Sequence, residues 1–390
     1  MVTAHDGRSS FDYTTISMFA DSLPESVIKR LTIRARELGA VNLGQGIPSF
    51  PTPPHILEAA KAALEDPAIG VYPNFLGELE LREAVAKRHG VDVSAVLVTV
   101  GAMEATATAI LSLVENGDRV GVVTPDYCNH FPQVMLARGE AVPIPLKEAD
   151  RWTLDLLRIE AEAKKGIKLL LLTNPGNPTG YVASREELKA LVTLSANHGF
   201  WIIADETYSY LTYGAPFVSL LDFWNESDRA ITVRSFSKEY AMTGWRVGYM
   251  VARPETIGAL AKVHDSLVGC VPKISQRAAL AAVTGPQDFV MNNQKAYERR
   301  RAMTVEAIGE IPGLSLPTIS GAYYAFPKYT GNRPSERVAE DLLTKAGVAV
   351  VAGEHFGNGG QGHVRLSFAV DDAVLSEGLS RLRRYFVTMM

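Results

Sequence analysis

Short apolar runs alternate with helical patterns between about residues 96 and 252. The runs are continuous rather than alternating, as at residues 96–98, 120–123, 169–172 and 201–203. Strands with this pattern are buried on both faces, which is typical of a parallel sheet covered by helices. We therefore predict an α/β unit with a mostly parallel sheet.

One linking helix can be delimited from the sequence alone. Ser184 and Glu187 have the spacing of a capping box at a helix start, and Gly199 is the residue type that ends helices. The residues between them that share one face are Leu188, Leu191, Val192 and Ser195. This helix between two apolar runs indicates a βαβ unit.

The flanking regions carry weaker patterns. Residues 55–64 and 78–89 look helical, and the Pro-, Gly- and Asn-containing segment 66–77 between them looks like a loop. Later segments that suit a smaller α+β unit are the helices at 299–309 and 337–346, the aromatic stretch at 321–326 and the strand at 363–368. We expect an N-terminal arm with part of the small domain at 1–45, a large domain at 46–298 and a small domain at 299–390.

Composition narrows the class of protein. The 390 residues are 47% hydrophobic, enough for two globular units, and a net charge of −4 without a basic stripe argues against nucleic acid as a ligand. Residues 1–15 lack the pattern of a secretory signal, and no apolar run reaches about eighteen residues, so we expect a cytoplasmic protein without membrane contact. Cys128 and Cys270 form no CxxC, so we expect neither a disulfide framework nor a metal site.

The most informative chemistry follows the predicted strand at 230–233. Ser235, Ser237 and Arg246 can hold a phosphate there, and Lys238 is placed to attack an aldehyde. Taken alone, Lys238 could equally be a solvated loop lysine.

Two further motifs lie at the ends of neighbouring predicted strands. The segment 174–180 contains Asn177 and follows the strand at 168–173, while Asp205 and Tyr208 follow the next strand. Each motif alone could be a structural turn or a helix cap. Because ligands of open α/β sheets bind at the carboxyl ends of the strands, we expect the three strand ends to form one crevice.

In this order, the motifs resemble the fold-type I pyridoxal-phosphate (PLP) enzymes, specifically the class I and II aminotransferase family. The resemblance runs from Asn42-Leu43-Gly44-Gln45-Gly46 to Arg365. It implies a three-layer αβα large domain, a smaller α+β domain and PLP as the cofactor.

The resemblance also implies roles for individual residues. Lys238 would form the Schiff base, Asp205 would pair with the pyridine nitrogen, and Asn177 and Tyr208 would bond the phenolic oxygen; Lys238, Asp205 and Tyr208 are the candidate catalytic residues. An anionic Asp205 would keep the ring protonated and make it an electron sink. The residues implied for the cofactor phosphate are Gly101, Ala102, Met103, Ser235, Ser237 and Arg246.

Five more roles follow from the same resemblance. Tyr127 would stack on the cofactor ring, and Tyr72 would reach the phosphate of a neighbouring subunit, which implies a homodimer with shared active sites. Arg365 would bind the substrate α-carboxylate, although we place it on an edge strand, where arginines are usually solvated. Gly46 would add a backbone contact beside that carboxylate, and Asn177 would also line the substrate site.

The expected reaction is ping-pong transfer of an amino group between an L-amino acid and a 2-oxo acid. Met103 stands where some dicarboxylate-specific relatives have a lysine, and Gly44-Gln45-Gly46 looks like the kynurenine and glutamine transaminase branch, so we favour a non-acidic donor. The same site could instead run β-elimination, synthase or oxidase chemistry. A regulator's effector domain is disfavoured, because the stretch before Asn42 is too short for a DNA-binding module.

Other machinery has no candidate residues. The segment 357–362 fits GxGxxG, but a strand rather than a helix follows it, so we expect a loop. The chain contains no Walker A, HExxH or GxSxG motif.

Overall fold

A computed structural model describes residues 18–389. The predicted absence of a secretory signal at 1–15 therefore falls outside the described residues. Helices α1 to α14 are Met18–Ser22, Val27–Glu37, Pro54–Ala63, Leu79–His89, Gly101–Leu113, His130–Leu136, Leu156–Ala163, Arg185–His198, Phe236–Glu239, Pro254–Val268, Lys273–Thr284, Asp288–Gly309, Ser335–Lys345 and Asp372–Met389. Strands β1 to β14 are Val41–Asn42, Val96–Thr99, Arg119–Thr124, Glu140–Pro145, Ile167–Thr173, Trp201–Asp205, Ala230–Ser235, Gly248–Val251, Leu314–Ser315, Tyr324–Ala325, Lys328–Tyr329, Val348–Ala349, Val351–Ala352 and Val364–Ser367.

Seven of these strands form the central sheet, in the order β2-β8-β7-β6-β5-β3-β4. All neighbours pair in parallel except β8, which runs antiparallel to both β2 and β7. The predicted mostly parallel sheet is confirmed. Strands β5, β6 and β7 lie side by side, so their carboxyl ends form one edge.

Helices cover both faces of this sheet. Alternate residues of β5 point to opposite sides: Leu169 and Leu171 join an apolar cluster with α5 and α10, while Leu170 and Leu172 join one with α7 and α8. Burial on both faces explains why the apolar runs are continuous. The three-layer αβα fold is confirmed.

The predicted linking helix is α8, with both halves of its capping box formed. The amide of Glu187 donates to Ser184 Oγ at 3.1 Å, and the amide of Ser184 donates to Glu187 Oε2 at 2.9 Å. Gly199 ends the helix with φ +78°, a left-handed conformation that glycine adopts without strain.

The C-terminal part contains a three-stranded antiparallel sheet, β10-β14-β13, and β1 pairs in parallel with β12. In this region the helix predicted at 299–309 is wrong at its start, because α12 begins at Asp288. Its buried face includes Asn293, Arg300 and Thr304, so the sequence shows no apolar period there. The domain boundary predicted between 298 and 299 falls inside α12, and the domain limits stay a prediction.

Helices α10, α11 and α14 were not predicted from the sequence. Among residues 18–389, no helix is both long and apolar enough to cross a lipid bilayer.

Candidate active site

A cavity of about 290 Å³ opens at the carboxyl ends of β5, β6 and β7. The predicted site residues that line it are Gly46, Ala102, Met103, Tyr127, Asn177, Asp205, Tyr208, Ser235, Ser237, Lys238, Arg246 and Arg365. Gly101 lies beside it, at the first position of α5, whereas Tyr72 does not line it. The structure therefore brings together nearly the whole set from distant parts of the chain.

Lys238 lies on the single-turn helix α9, directly after β7. Its Nζ donates a hydrogen bond to the carbonyl of Gly46 at 2.6 Å. Burial lowers the pKa of Lys238 to about 8, with the positive charges of Arg246 and Arg365 acting in the same direction and Asp205 opposing them. Near pH 7, the neutral and nucleophilic fraction of the Lys238 amine is therefore larger than that of an ordinary lysine.

Asp205 is the last residue of β6, and its side chain is buried. Its Oδ1 accepts from the amide of Thr207 at 3.0 Å and from the Thr207 hydroxyl at 2.6 Å. Burial raises the pKa of Asp205, while His130 and the Thr207 hydrogen bonds oppose that shift. These donors favour the ionised carboxylate in a site that would otherwise neutralise it.

His130 extends this network from the other side. Its Nδ1 lies 2.7 Å from Asp126 Oδ2, and its Nε2 is buried without a partner among the described residues. Burial lowers the pKa of His130, but the charge and hydrogen bond of Asp126, together with the charge of Asp205, act against it, and the net pKa is raised. A cationic imidazole at this place would favour the ionised form of Asp205.

Arg365 is almost fully buried, with 1% of its surface exposed. Its Nη1 donates to Asn177 Oδ1 at 2.9 Å, and its Nη2 donates to the carbonyl of Gly44. The guanidinium carbon lies 4.6 Å from the ring centre of Tyr324 and 4.9 Å from that of Phe356. The edge-strand placement was wrong, since β14 is the central strand of its sheet.

The tyrosines predicted for the cofactor lie in two different settings. Tyr208 is buried, and its hydroxyl lies 2.9 Å from that of Tyr324. Burial raises the pKa of Tyr208 well above its usual value, so its hydroxyl stays protonated and can donate. Tyr127 accepts from Asn129 Nδ2 at 2.9 Å and meets the ring of His130 edge-on.

A glycine turn and an arginine form another side of the cavity. Gly101 has φ +78°, and a β-carbon on it would lie 2.7 Å from Arg246 Nη2. Arg246 Nη2 donates to the carbonyl of Val100 at 3.3 Å, and Nη1 donates to that of Thr243 at 2.9 Å. Ser235 Oγ accepts from the amide of Ser237 at 3.2 Å. An anion at this turn would meet a helix N-terminus, a guanidinium and two hydroxyls.

Tyr72 lies in the loop at 66–77, with 89% of its surface exposed. It cannot act on the cavity of its own chain as placed, and its predicted contact with a second subunit stays a prediction.

Asp126, His130, Thr207 and Tyr324 belong to the site but were missed in the sequence. A signal existed for one pair, because Asp126 and His130 stand four residues apart directly after an apolar run. Tyr324 and Thr207 gave none, since buried tyrosine and threonine are common in cores. No group of three or more His, Cys, Asp or Glu side chains suited to a metal ion occurs in residues 18–389.

A helix-covered parallel sheet, with a partly buried lysine and a buried aspartate at adjacent strand ends, is typical of the fold-type I class of PLP enzymes. Comparison with known proteins agrees: the family model "Aminotransferase class I and II" matches residues 39–382. The chain belongs to this family, whose members are PLP-dependent, and the predicted aminotransferase function is confirmed.

Individual relatives cover almost the whole chain. An aspartate aminotransferase of Streptomyces avermitilis is 35% identical over 392 residues, covering 95% of this chain and 96% of that protein. An aromatic-amino-acid aminotransferase of Thermococcus litoralis is 31% identical, covering 93% and 95%. The structure of Thermus thermophilus aspartate aminotransferase with maleate matches with a TM-score of 0.90 and 32% identity, covering 95% and 99%.

Proposed function

We propose that this chain moves an amino group between an L-amino acid and a 2-oxo acid by a ping-pong reaction, through PLP held covalently on Lys238. One observation carries the proposal: a single cavity contains the lysine whose pKa is lowered to about 8, the buried Asp205 and the buried Arg365. An amine, an acid and a carboxylate-binding cation are the groups that amino transfer requires.

The residues present fit the cofactor. The Gly101 turn leaves space that a side chain would fill beside Arg246, and Arg246, Ser235 and Ser237, which line the same cavity, would be the phosphate partners. Asn177 and Tyr208 carry donors for the phenolic oxygen, and Tyr127 supplies a flat ring for stacking. When bound, PLP supplies a protonated ring that withdraws the electron pair of the substrate Cα–H bond.

Three side chains would then do distinct work. Asp205, whose ionised form the Thr207 hydrogen bonds favour, would hold the proton on the ring nitrogen. Lys238, displaced by the substrate amine, would use its neutral Nζ to take the proton from the substrate Cα. Tyr208 would orient the cofactor through its hydroxyl.

Arg365 would bind the α-carboxylate of the substrate. Its guanidinium contacts the rings of both Tyr324 and Phe356, which restricts its position. Its Nε is buried without a partner among the described residues, so it retains a donor for an incoming anion. Gly46 lines the same cavity as Arg365. Its carbonyl accepts hydrogen bonds from Nζ of Lys238 and from the hydroxyl of Tyr323.

The substrate side chain would contact mainly uncharged residues of the cavity. Met103, Ile28 and Ile47 line the cavity, and Met103 approaches the amide of Asn129 at 3.3 Å. This favours a neutral, aromatic or other non-acidic donor. Lys29 also lines the cavity and is the cation that a dicarboxylic donor would use, so a donor panel must include aspartate and glutamate.

We also propose a homodimer with shared sites. Large apolar side chains are exposed in and beside the Tyr72 loop, namely Leu64, Val71, Phe75 and Leu79. A second copy covering them would bring Tyr72 towards the other chain's phosphate site. Light scattering coupled to gel filtration tests the dimer. A monomeric protein would contradict the proposed shared site.

A cytoplasmic location stays a prediction.

Product analysis tests the proposed reaction. The purified holoenzyme is mixed with single amino acids and either pyruvate or 2-oxoglutarate, and new amino acids, ammonia and peroxide are measured. Amino transfer yields a new amino acid in proportion to the oxo acid formed. Ammonia as the main nitrogen product would instead indicate elimination, and ammonia together with peroxide would indicate oxidation.

A further inference from the structure

Glu104 lies in the first turn of α5, beside the glycine turn that we assign to the cofactor phosphate. Its Oε2 accepts a hydrogen bond from the amide of Val100 at 3.0 Å. Its Oε1 accepts from the hydroxyl of Thr108 and lies 3.0 Å from Nδ1 of His264. Both carboxylate oxygens are therefore engaged inside the protein, and 11% of the side chain is exposed.

His264 anchors this carboxylate to a second helix. It lies on α10, is fully buried, and faces Glu104 across the contact between α5 and α10. Because a carboxylate accepts hydrogen bonds, Nδ1 of His264 is the donor in this contact. Glu104 thus connects the start of α5 to a neighbouring helix that does not line the cavity.

Val100 is the residue through which this contact reaches the phosphate site. Its amide is held by Glu104, while its carbonyl accepts from Nη2 of Arg246. Gly101 follows directly with its left-handed φ. The two peptide units around Val100 are therefore fixed from opposite sides, by Glu104 and by Arg246.

The contact also determines which backbone amides at the start of α5 remain free to bind an anion. The first amides of a helix have no partner within the helix and are free to bind an anion. Glu104 takes the amide of Val100, so the amides of Gly101, Ala102 and Met103 are the ones left for a phosphate. A carboxylate so close to an anion site would be unfavourable unless its oxygens were held by donors, as they are here.

We propose that Glu104 is a positioning residue that, with His264, sets the conformation of the phosphate turn and the place of Arg246. The inference rests on the proposed function, because the anion is taken to be the PLP phosphate. Glu104 would not touch the cofactor; it would act through Val100.

Cofactor titration of the apoenzyme tests this role. Glu104→Ala should raise the Kd for PLP about tenfold or more, since the turn loses its fixed geometry. Glu104→Gln keeps one acceptor oxygen and should raise the Kd only about threefold. Glu115→Ala, at an exposed glutamate just beyond the end of α5, is the matched control and should bind PLP as the wild type does.

A second readout separates positioning from a general loss of stability. In Glu104→Ala, the phosphorus-31 resonance of bound PLP should move towards that of free PLP, while kcat at saturating cofactor stays within a few fold of wild type. Kd values within twofold of wild type for both Glu104 variants, with an unchanged resonance, would overturn the inference. If Glu104→Ala does not fold, Glu104→Gln decides in the same way. Failure of the wild type to bind PLP would instead remove the proposed function itself.

Discussion

Two arginines line the same cavity in opposite surroundings. Arg246 is exposed, lies beside a helix N-terminus and already donates to two backbone carbonyls. Arg365 is buried in contact with two aromatic rings, with a nitrogen left unpaired among the described residues. Screening by water weakens the first charge and hardly affects the second. We conclude that the phosphate would be held by many weak contacts and the substrate carboxylate by one strong contact.

Removing the buried charge should have the largest effect. Arg365→Met should raise KM for the amino acid about 100-fold or more, because a desolvated charge-assisted pair is lost. Arg365→Lys should recover little, since an ammonium cannot form the paired contact. Steady-state kinetics at saturating PLP measures this. A KM within a few fold of wild type in Arg365→Met would show that another residue binds the carboxylate.

Removing the exposed charge should have a smaller effect on a different parameter. Arg246→Met should raise the Kd for PLP about tenfold, because the helix N-terminus and the hydroxyls of Ser235 and Ser237 remain. KM for the amino acid at saturating PLP should change little. Titration of the apoenzyme measures the Kd. An increase of KM for the amino acid in Arg246→Met as large as in Arg365→Met would contradict separate roles for the two arginines.

The smallest expected effect is on the titration of Lys238. The rate at which the apoenzyme captures PLP should rise with pH around an apparent pKa of about 8, as Nζ loses its proton. Both arginines lower this pKa by repelling the ammonium form, so Arg246→Met and Arg365→Met should each raise it. Stopped-flow absorbance over pH 6 to 10 follows the capture. An apparent pKa near that of free lysine in the wild type would contradict the placement of Lys238.

The parallel sheet and its strand ends could be predicted because their signals are local. The runs before Asn177 and Asp205 are continuously apolar, the strand before Lys238 is mostly apolar, and each motif follows its strand directly. Strand order along the chain then places β5, β6 and β7 together. The cavity follows from these facts, together with the family resemblance.

What the sequence could not show depends on distant partners. Arg300 lies on the buried face of α12, and its Nε donates to Asp372 at 2.6 Å, a contact between residues 72 positions apart. The burial of Arg365 likewise depends on Tyr324 and Phe356, which belong to other elements. Charged residues are usually exposed unless they are paired, so the burial of neither arginine could be predicted from the sequence.

Replacing Lys238 tests the central claim most directly. Wild-type apoenzyme mixed with PLP should gain a visible absorbance band and amino-transfer activity, and the exposed control Lys262→Ala should do the same. Lys238→Ala should lose the band and the turnover together while remaining folded by circular dichroism. Wild-type turnover in Lys238→Ala would contradict the account.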